Sequence, residues 1–419
     1  MTPEVKERIE QIRHGIVPEG YKRTKAGIYP EDWTEYTLGD IYTERKEPGN
    51  ESLPLLMVSI HSGVSDGEVD GADLPKKVKR IEDKSQYKRA ATGDLVFNMM
   101  RAWQGAIGTV RTEGMVSPAY IVAEPNGLVD PLFMDYLMRT PRMVGTIHKQ
   151  SYGVTDFRLR LYWESFAPIH CVLPSVPEQE KIGEAVDIQN KIIDLKEKLL
   201  AEKQRQKKYL MQQLLTGKKR LPGFDGEWKS EKLSDFCNFI GGGTPDTKNP
   251  EYWNGTIPWI SSSDLEIGNI HDVAITRYIS EDAIRESATK LCKAGTILLV
   301  SRVGVGKIAI APVDLCTSQD FLNLVQQKHN ATFLMYSLCL LMQSKSNQVQ
   351  GSAIKGIPSK EIKEYTLRFP KMDEQEAIAL CLSNADREIN LLKHNVEQEK
   401  QKKKALMQLL LTGIVRVNK

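Results

Sequence analysis

One run dominates the residues that could do chemistry: GGGTPDTKNPEYW, from Gly241 to Trp253. Three consecutive glycines suit a loop that lets phosphate or a nucleotide approach the backbone. The NPEY that follows is one residue from the N-P-P-Y run with which amino-methyltransferases grip a target base. A dinucleotide site needs more, namely G-x-G-x-x-G between a strand and a helix, with an acidic residue about 20 positions on. Here Pro250 breaks any helix the glycines could open. NPEY lacks the second proline. VGVGKIAI, Val303 to Ile310, has a lysine but no Ser or Thr after it, in a strand-like context, and so is not a phosphate loop. The seven histidines show neither HExxH nor HxH spacing, and Pro245-Asp246 lacks an acidic-x-lysine partner on a following strand. The chain is therefore expected to carry no catalytic residue, no metal and no cofactor of its own.

What remains is hydrogen-bonding chemistry suited to nucleic acid. Arg and Lys pair with guanine edges, Gln and Asn with adenine, and Ser or Thr with either edge or with phosphate. In the first half such residues fall in SIHSG (Ser59, His61, Ser62), LPKKVKR (Lys76, Lys77), MRAWQG (Arg101, Trp103, Gln104) and SYGVTDFRLR (Tyr152, Thr155, Arg158, Arg160). In the second half they are Thr244, IPWISSSD (Trp259, Ser261, Ser262, Ser263), SRVGVGK (Arg302, Lys307), TSQD (Gln319) and QGSAIKG (Lys355). A lone arginine in a loop is more often a solvated surface residue. These candidates gain weight because they recur at matched places in an internal repeat.

The repeat is explicit. LMQQLLTG, Leu210 to Gly217, and LMQLLLTG, Leu406 to Gly413, share seven of eight letters at an offset of 196. The same offset carries PEQEKI at Pro177 onto DEQEAI at Asp373, and DWTEYTLGDI at Asp32 matches EWKSEKLSDF at Glu227. Between these anchors ATGDLVFNMMRAWQGAIG matches KAGTILLVSRVGVGKIAI weakly, with Arg101 and Arg302 one place apart. The frames agree while the middles differ, as expected of two readers of different ligands on one scaffold. The fold class expected is α+β, with two similar globular domains separated by two long antiparallel coiled-coil helices. The segments are 1–20, a helical stump or a frayed amphipathic terminus; 21–176, first domain; 177–219, first helix; 220–372, second domain; and 373–419, second helix.

The helices follow from the spacing of apolar residues. Steps of four and three from Ile378 give Ile378, Leu382, Ala385, Ile389, Leu392, Val396, Glu399, Lys403, Leu406 and Leu410, eight of the ten apolar. The first helix in the same register gives Ile182, Val186, Gln189, Ile193, Lys196, Leu200, Lys203, Lys207, Leu210 and Leu214, six of the ten apolar. Asp373 with Glu376 makes a capping-box pattern, Pro177 suits a first turn, and Gly217 and Gly413 stand where helices end. Each helix is expected to run about 33 residues, roughly 50 Å.

Composition sets the outer limits. The 419 residues suffice for two or three domains, with 41% hydrophobic and 26% charged residues. The longest apolar run, ATFLMYSLCLLM, is far short of the ~20 residues that span a bilayer. The charged N-terminus has no apolar signal region, and six scattered cysteines without a CxxC pair suit a reducing cytoplasm. A net charge of +3 means that any nucleic-acid binding must come from local patches.

With LPSVPEQEKI and FPKMDEQEAI opening the helices, LMQQLLTGKKRLPGFDGEW closing the first, and GGGTPDTKNPEYWNGTIPW opening the second domain, the chain resembles the specificity subunit of Type I restriction-modification systems over essentially its whole length. The resemblance implies two target-recognition domains held apart by a helical ruler, each reading half of a split, asymmetric site in double-stranded DNA. It also implies partner chains. Two methylation subunits would supply the S-adenosylmethionine site and adenine methylation, and motor/nuclease subunits would supply translocation and cleavage with ATP and Mg. The first domain departs from the pattern, since LPLLMVSIHSG replaces the GGGTP…NPEYW opening. A coiled-coil adaptor that binds no DNA is the alternative from another class, and a stand-alone methyltransferase or nuclease is the third.

Overall fold

The structure, a computed structural model, describes residues 2–50, 52–60, 63–66, 86–153, 158–268, 270–326, 328–349 and 356–417. The chain divides into two compact units: 1–197 with 395–419, and 198–394. This division differs from the linear one expected. Each globular segment is grouped with the opening half of one long helix and the closing half of the other.

Both units are built on one antiparallel sheet plan. In the first, the strand order is Tyr42–Arg45, Tyr120–Pro125, Leu95–Asn98, Ile107–Thr109; in the second it is Asn238–Gly241, Leu322–Val325, Ile297–Leu299, Ile308–Ile310. A separate pair closes each unit, Thr34–Thr37 with His170–Leu173 and Lys229–Lys232 with Thr366–Phe369. Side chains alternate across a strand, and the central strands use both faces. Leu95 and Phe97 enter the core formed with helices, whereas Val96 enters a second core against the outer strands. Ile297 and Leu299, with Leu298 and Val300, repeat this division in the second unit.

The outer strands explain the divergent openings. Ile257–Ile260 runs parallel to Leu315–Thr317 through Trp259↔Cys316, and in the first unit Leu55 bridges Met115 in the same parallel sense. The LPLLMVSIHSG segment thus provides the strand that TIPWISSSD provides in the other unit. Behind each sheet lies a helical layer. Pro131–Met138 and Pro141–Gln150 form it in the first unit, broken at Pro141, where Thr140 caps the second piece through its hydroxyl. The second unit has no proline there, and Ala331–Val349 is continuous.

The first long helix spans Val176–Leu214 and the second Met372–Leu410, 39 residues each, longer than the spacing suggested. Within each unit their segments run antiparallel. In the first, Ile182, Val186 and Ile193 are buried, and Val396 and Leu410 are buried with Leu406 half-buried. In the second, Leu214, Ile378, Leu382 and Ile389 are buried, with Leu200, Leu210 and Leu392 half-buried. Polar seam positions other than Lys403 are paired. Gln189 donates to Glu399 Oε2 at 2.7 Å, Lys196 bonds Glu399 Oε1 at 2.8 Å, Lys203 meets Glu388 at 2.6 Å, and Lys207 meets Asp386. Such pairs cost stability against an all-apolar seam but admit only one register.

Both helices end at a glycine in the left-handed region, Gly217 at φ 71° and Gly413 at φ 69°. A Cβ on Gly217 would meet the Trp228 indole at 3.5 Å, and one on Gly413 would meet Pro30 at 2.6 Å and Trp33 at 3.2 Å. The second helix therefore stops against the first globular segment as the first helix stops against the second. The N-terminal residues form a helix, Pro3–Arg13, whose Arg8 donates to the Ile414 carbonyl at 2.7 Å.

Candidate nucleic-acid interface

Arg101 and Arg302 lie in equivalent loops. Each lies in the hairpin loop between the inner and outer strands of its four-stranded sheet, at 99–106 and 300–307. Left-handed glycines turn both loops, Gly105 in the first and Gly304 and Gly306 in the second. Both arginines are exposed, with no ion-pair partner among the described residues. A following segment is tied to each loop by a backbone bond, Leu161 N to Met99 O at 2.9 Å and Ile357 N to Ser301 O at 2.7 Å.

Around Arg302 the second unit forms a cleft of about 380 Å³ whose lining includes Gly242, Ser301, Gln319 and Pro358. Thr244 donates its hydroxyl to Gln319, which ties the glycine run to the TSQD turn. A guanidinium, a carboxamide and a hydroxyl thus converge on one concavity, a donor and acceptor set able to meet base edges and phosphate oxygens.

The glycine run shapes this cleft. A Cβ on Gly242 would lie 2.0 Å from the Ser318 carbonyl oxygen, and one on Gly243 would lie 2.4 Å from the Ala288 carbonyl carbon. Gly243 N donates to the Thr317 carbonyl at 2.8 Å, and its own carbonyl accepts from the Trp259 indole at 3.0 Å. The glycines let three backbone segments touch.

Several sequence candidates turn out to be internal supports. Trp259, placed among the surface contacts by its polar neighbours, is buried at 3% exposure and packs edge-on to Trp253 at 5.0 Å. The strand Ile257–Ile260 has a core on each face, with Trp259 packed among Ile279 and Cys316 and Ile260 in the other. Ser262 is buried, and Lys307 is bonded to the Ser262 carbonyl at 2.7 Å. Ser261 accepts from Arg277 at 2.8 Å and shares a hydrogen bond with Ser263 at 2.8 Å, so only Ser263 of the three serines is exposed. Arg277 carries no signal in its local sequence, yet it lies 4.7 Å over the Trp259 ring and pairs with Asp264.

In the first unit Arg101, Gln104, Tyr152, Arg158 and Arg160 are exposed. Trp103 is half-buried, with its ring 5.6 Å from that of His148 and its indole donating to the Met100 carbonyl at 3.0 Å. Tyr152 lies 5.4 Å from Tyr162, whose hydroxyl accepts from Arg160 at 3.5 Å. Exposed Met100 and Ile60 border this cluster, and neither has a polar signature to mark it. Ser59 is half-buried in a strand. His61, Ser62, Lys76, Lys77, Thr155 and Lys355 lie outside the described residues.

Burial raises the thiols of Cys171 and Cys237 to about 12 and those of Cys292 and Cys316 to about 11, so these four are packing groups rather than nucleophiles. Among the described residues no three His, Cys, Asp or Glu side chains gather as metal ligands, and no helix is long and apolar enough to cross a membrane.

Residues 225–400 match the Type I restriction modification DNA specificity domain. The chain is 32% identical over 190 residues to the Type I restriction enzyme MjaIX specificity subunit of Methanocaldococcus jannaschii, a match covering 44% of this chain and less than half, 43%, of that one. The putative Type I restriction enzyme MjaX specificity subunit of the same organism is 24% identical over 95% of this chain and 97% of its own. A solved structure described as the basis of complex assembly and conformational transition of the type I R-M system shares the fold, with a TM-score of 0.57 at 20% identity over 92% of this chain and 99% of that one. The duplicated frame and the matched domain make the chain similar to Type I restriction-modification specificity subunits, and the solved structure shares its fold.

Proposed function

We propose that the protein is the DNA sequence-recognition subunit of a Type I restriction-modification complex and has no active site of its own. Each unit reads one half of a bipartite, asymmetric double-stranded site, and the paired long helices act as the ruler that sets the spacer. The observation that carries this reading is the matched placement of Arg101 and Arg302 on equivalent hairpin loops, each among different neighbours. A shared frame with different contact groups suits two half-sites of different sequence. Joining two modest contacts in one chain raises their combined affinity through effective concentration, which a nearly neutral protein needs.

On this reading the chain is also a scaffold in the cytoplasm. Two methylation subunits bring S-adenosylmethionine and adenine methylation, and motor/nuclease subunits bring ATP, Mg and cleavage. The test is an exchange of residues 21–176 for the corresponding segment of another such protein, followed by mapping of the methylated sequence. One half-site should change and the other stay. A change in both halves, or in neither, rejects the modular reading.

A further inference from the structure

The cleft beside Arg302 offers hydrogen-bond donors of a restricted kind. Five main-chain amides in and beside it are engaged within the protein. Gly243 N donates to the Thr317 carbonyl at 2.8 Å, Ser301 N to that of Asp320 at 2.8 Å, and Ile357 N to that of Ser301 at 2.7 Å. Gly242 N and Arg302 N reach the Phe321 and Asp320 carbonyls at 3.4 and 3.3 Å. The Ser301 hydroxyl also donates to the Asp320 carbonyl, at 3.2 Å. Among the described lining residues Arg302 is the one charged side chain and Gln319 the one carboxamide. Lys307, nearby in sequence, is committed to the Ser262 carbonyl at 2.7 Å.

Both groups are held in place. A Cβ on Gly356 would lie 2.7 Å from Arg302 Cα and 3.1 Å from its Cγ, so the backbone there packs against the root of the arginine side chain. Thr244 donates its hydroxyl to Gln319 Oε1. The oxygen and nitrogen of a carboxamide point apart, so an oxygen turned to Thr244 leaves Nε2 facing away from the glycine run. Glutamine ordinarily reads adenine by accepting from N6 with that oxygen while donating to N7. With its oxygen committed, exposed Gln319 presents a donor beside the donors of Arg302.

We infer, resting on the DNA-recognition reading above, that the second unit reads a guanine through Arg302 and Gln319, with Thr244 as the residue that positions the carboxamide. Guanine shows two acceptors in the major groove, N7 and O6, whereas adenine and cytosine each show an amino group that would oppose a donor. A phosphate site would draw on free main-chain amides and several cations, which this cleft does not gather. The arrangement belongs to one unit. Phe321 N closes a turn on the Ser318 carbonyl at 3.2 Å, and Tyr120 N closes the matching turn on Ser117 at 3.0 Å. There Pro118 stands where Gln319 stands, so the first unit has no carboxamide at this place.

The test uses the assembled complex and duplexes carrying its methylated sequence. The second unit's half-site is the one that stays when residues 21–176 are exchanged. Each guanine in it, on either strand, is replaced in turn by 7-deazaguanine, which lacks the N7 acceptor. One replacement should weaken binding about tenfold. A half-site without guanine, or no effect at any guanine, overturns the assignment. Methylome sequencing then reads the variants. Thr244→Val frees the carboxamide to turn over, so one position should admit adenine as well as guanine, with the other half-site unchanged. Thr244→Ser should keep guanine alone. A Thr244→Val chain with the parent's recognition sequence leaves Thr244 no positioning role and overturns the inference. Uniform loss of affinity at all sequences, in an Arg302→Ala chain that melts like the parent, makes the cleft a phosphate contact and also overturns it. The base-analogue series uses the parent chain and so decides even where a variant fails to fold. A complex without sequence-selective DNA binding rejects the DNA-recognition reading itself, whereas a selective complex indifferent to every analogue rejects only the guanine.

Discussion

Arg220 donates from Nε and Nη2 to the two oxygens of Glu374, at 2.5 and 2.6 Å. Arg416, 196 residues later, makes the same paired contact to Glu178 at 2.6 and 2.7 Å and adds Asp32 at 2.8 Å. In each case the residue just past the end of one long helix holds the opening turn of the other. Both carboxylates are nearly inaccessible to water, so the pair is worth more than a surface contact.

Arg220→Ala is therefore expected to lower the melting temperature by about 5 °C, because it strands a buried carboxylate. Arg220→Ala with Glu374→Ala should cost less than the sum of the single changes. A double-mutant cycle followed by circular dichroism checks this; strict additivity would mean the two groups are not coupled.

Glu399 gives stability a defined pH dependence. Hydrogen bonds from Lys196 and Gln189 hold its carboxyl at about 2, below its ordinary value of 4.5. A carboxylate depressed in the folded state contributes fully above its unfolded value, and that contribution is lost as pH falls through the folded value. The chain should lose stability between about pH 4.5 and 2. Glu399→Gln should flatten that limb while lowering stability at pH 7, as read from melts across the range.

The glycine run separates packing from ligand binding. Gly242→Ala places a Cβ against the Ser318 backbone oxygen and should destabilise by about 1–3 kcal/mol. Gly241→Ala meets nothing within 4 Å and should be neutral. Denaturant melts of the two variants distinguish a packing role from a phosphate-binding one, in which both glycines would matter for ligand and neither for folding.

On the proposed function, Arg302→Ala should relax recognition at one half-site, by about tenfold in discrimination between bases, and leave the other half-site intact. Methylome sequencing in a host expressing the complex reads this directly. A uniform loss of binding at all sequences would instead make Arg302 a phosphate contact.

The helical seam is legible in the sequence because few arrangements besides a paired helix place apolar residues every 3.5 positions over ten successive steps. Ile182, Val186, Ile378 and Leu382 are all fully buried, as that spacing requires. Trp259 misleads because its polar neighbours suggest a surface loop, whereas the segment is a strand that buries Trp259 and Ile260 on opposite faces. Arg277 leaves no trace in local spacing. It reaches Trp259 only through the antiparallel register Trp259↔Arg277, which depends on strands pairing across an intervening segment.

The closure of Gly413 on Pro30 and Trp33, matching that of Gly217 on Trp228, has a genetic consequence. The repeated stretches LMQQLLTG and LMQLLLTG are junctions at which either globular segment meets the same kind of helix end. A crossover between two such genes at these stretches would exchange one whole segment and regenerate a proper helix terminus on both sides. New pairings of globular segments would then arise by recombination in one step.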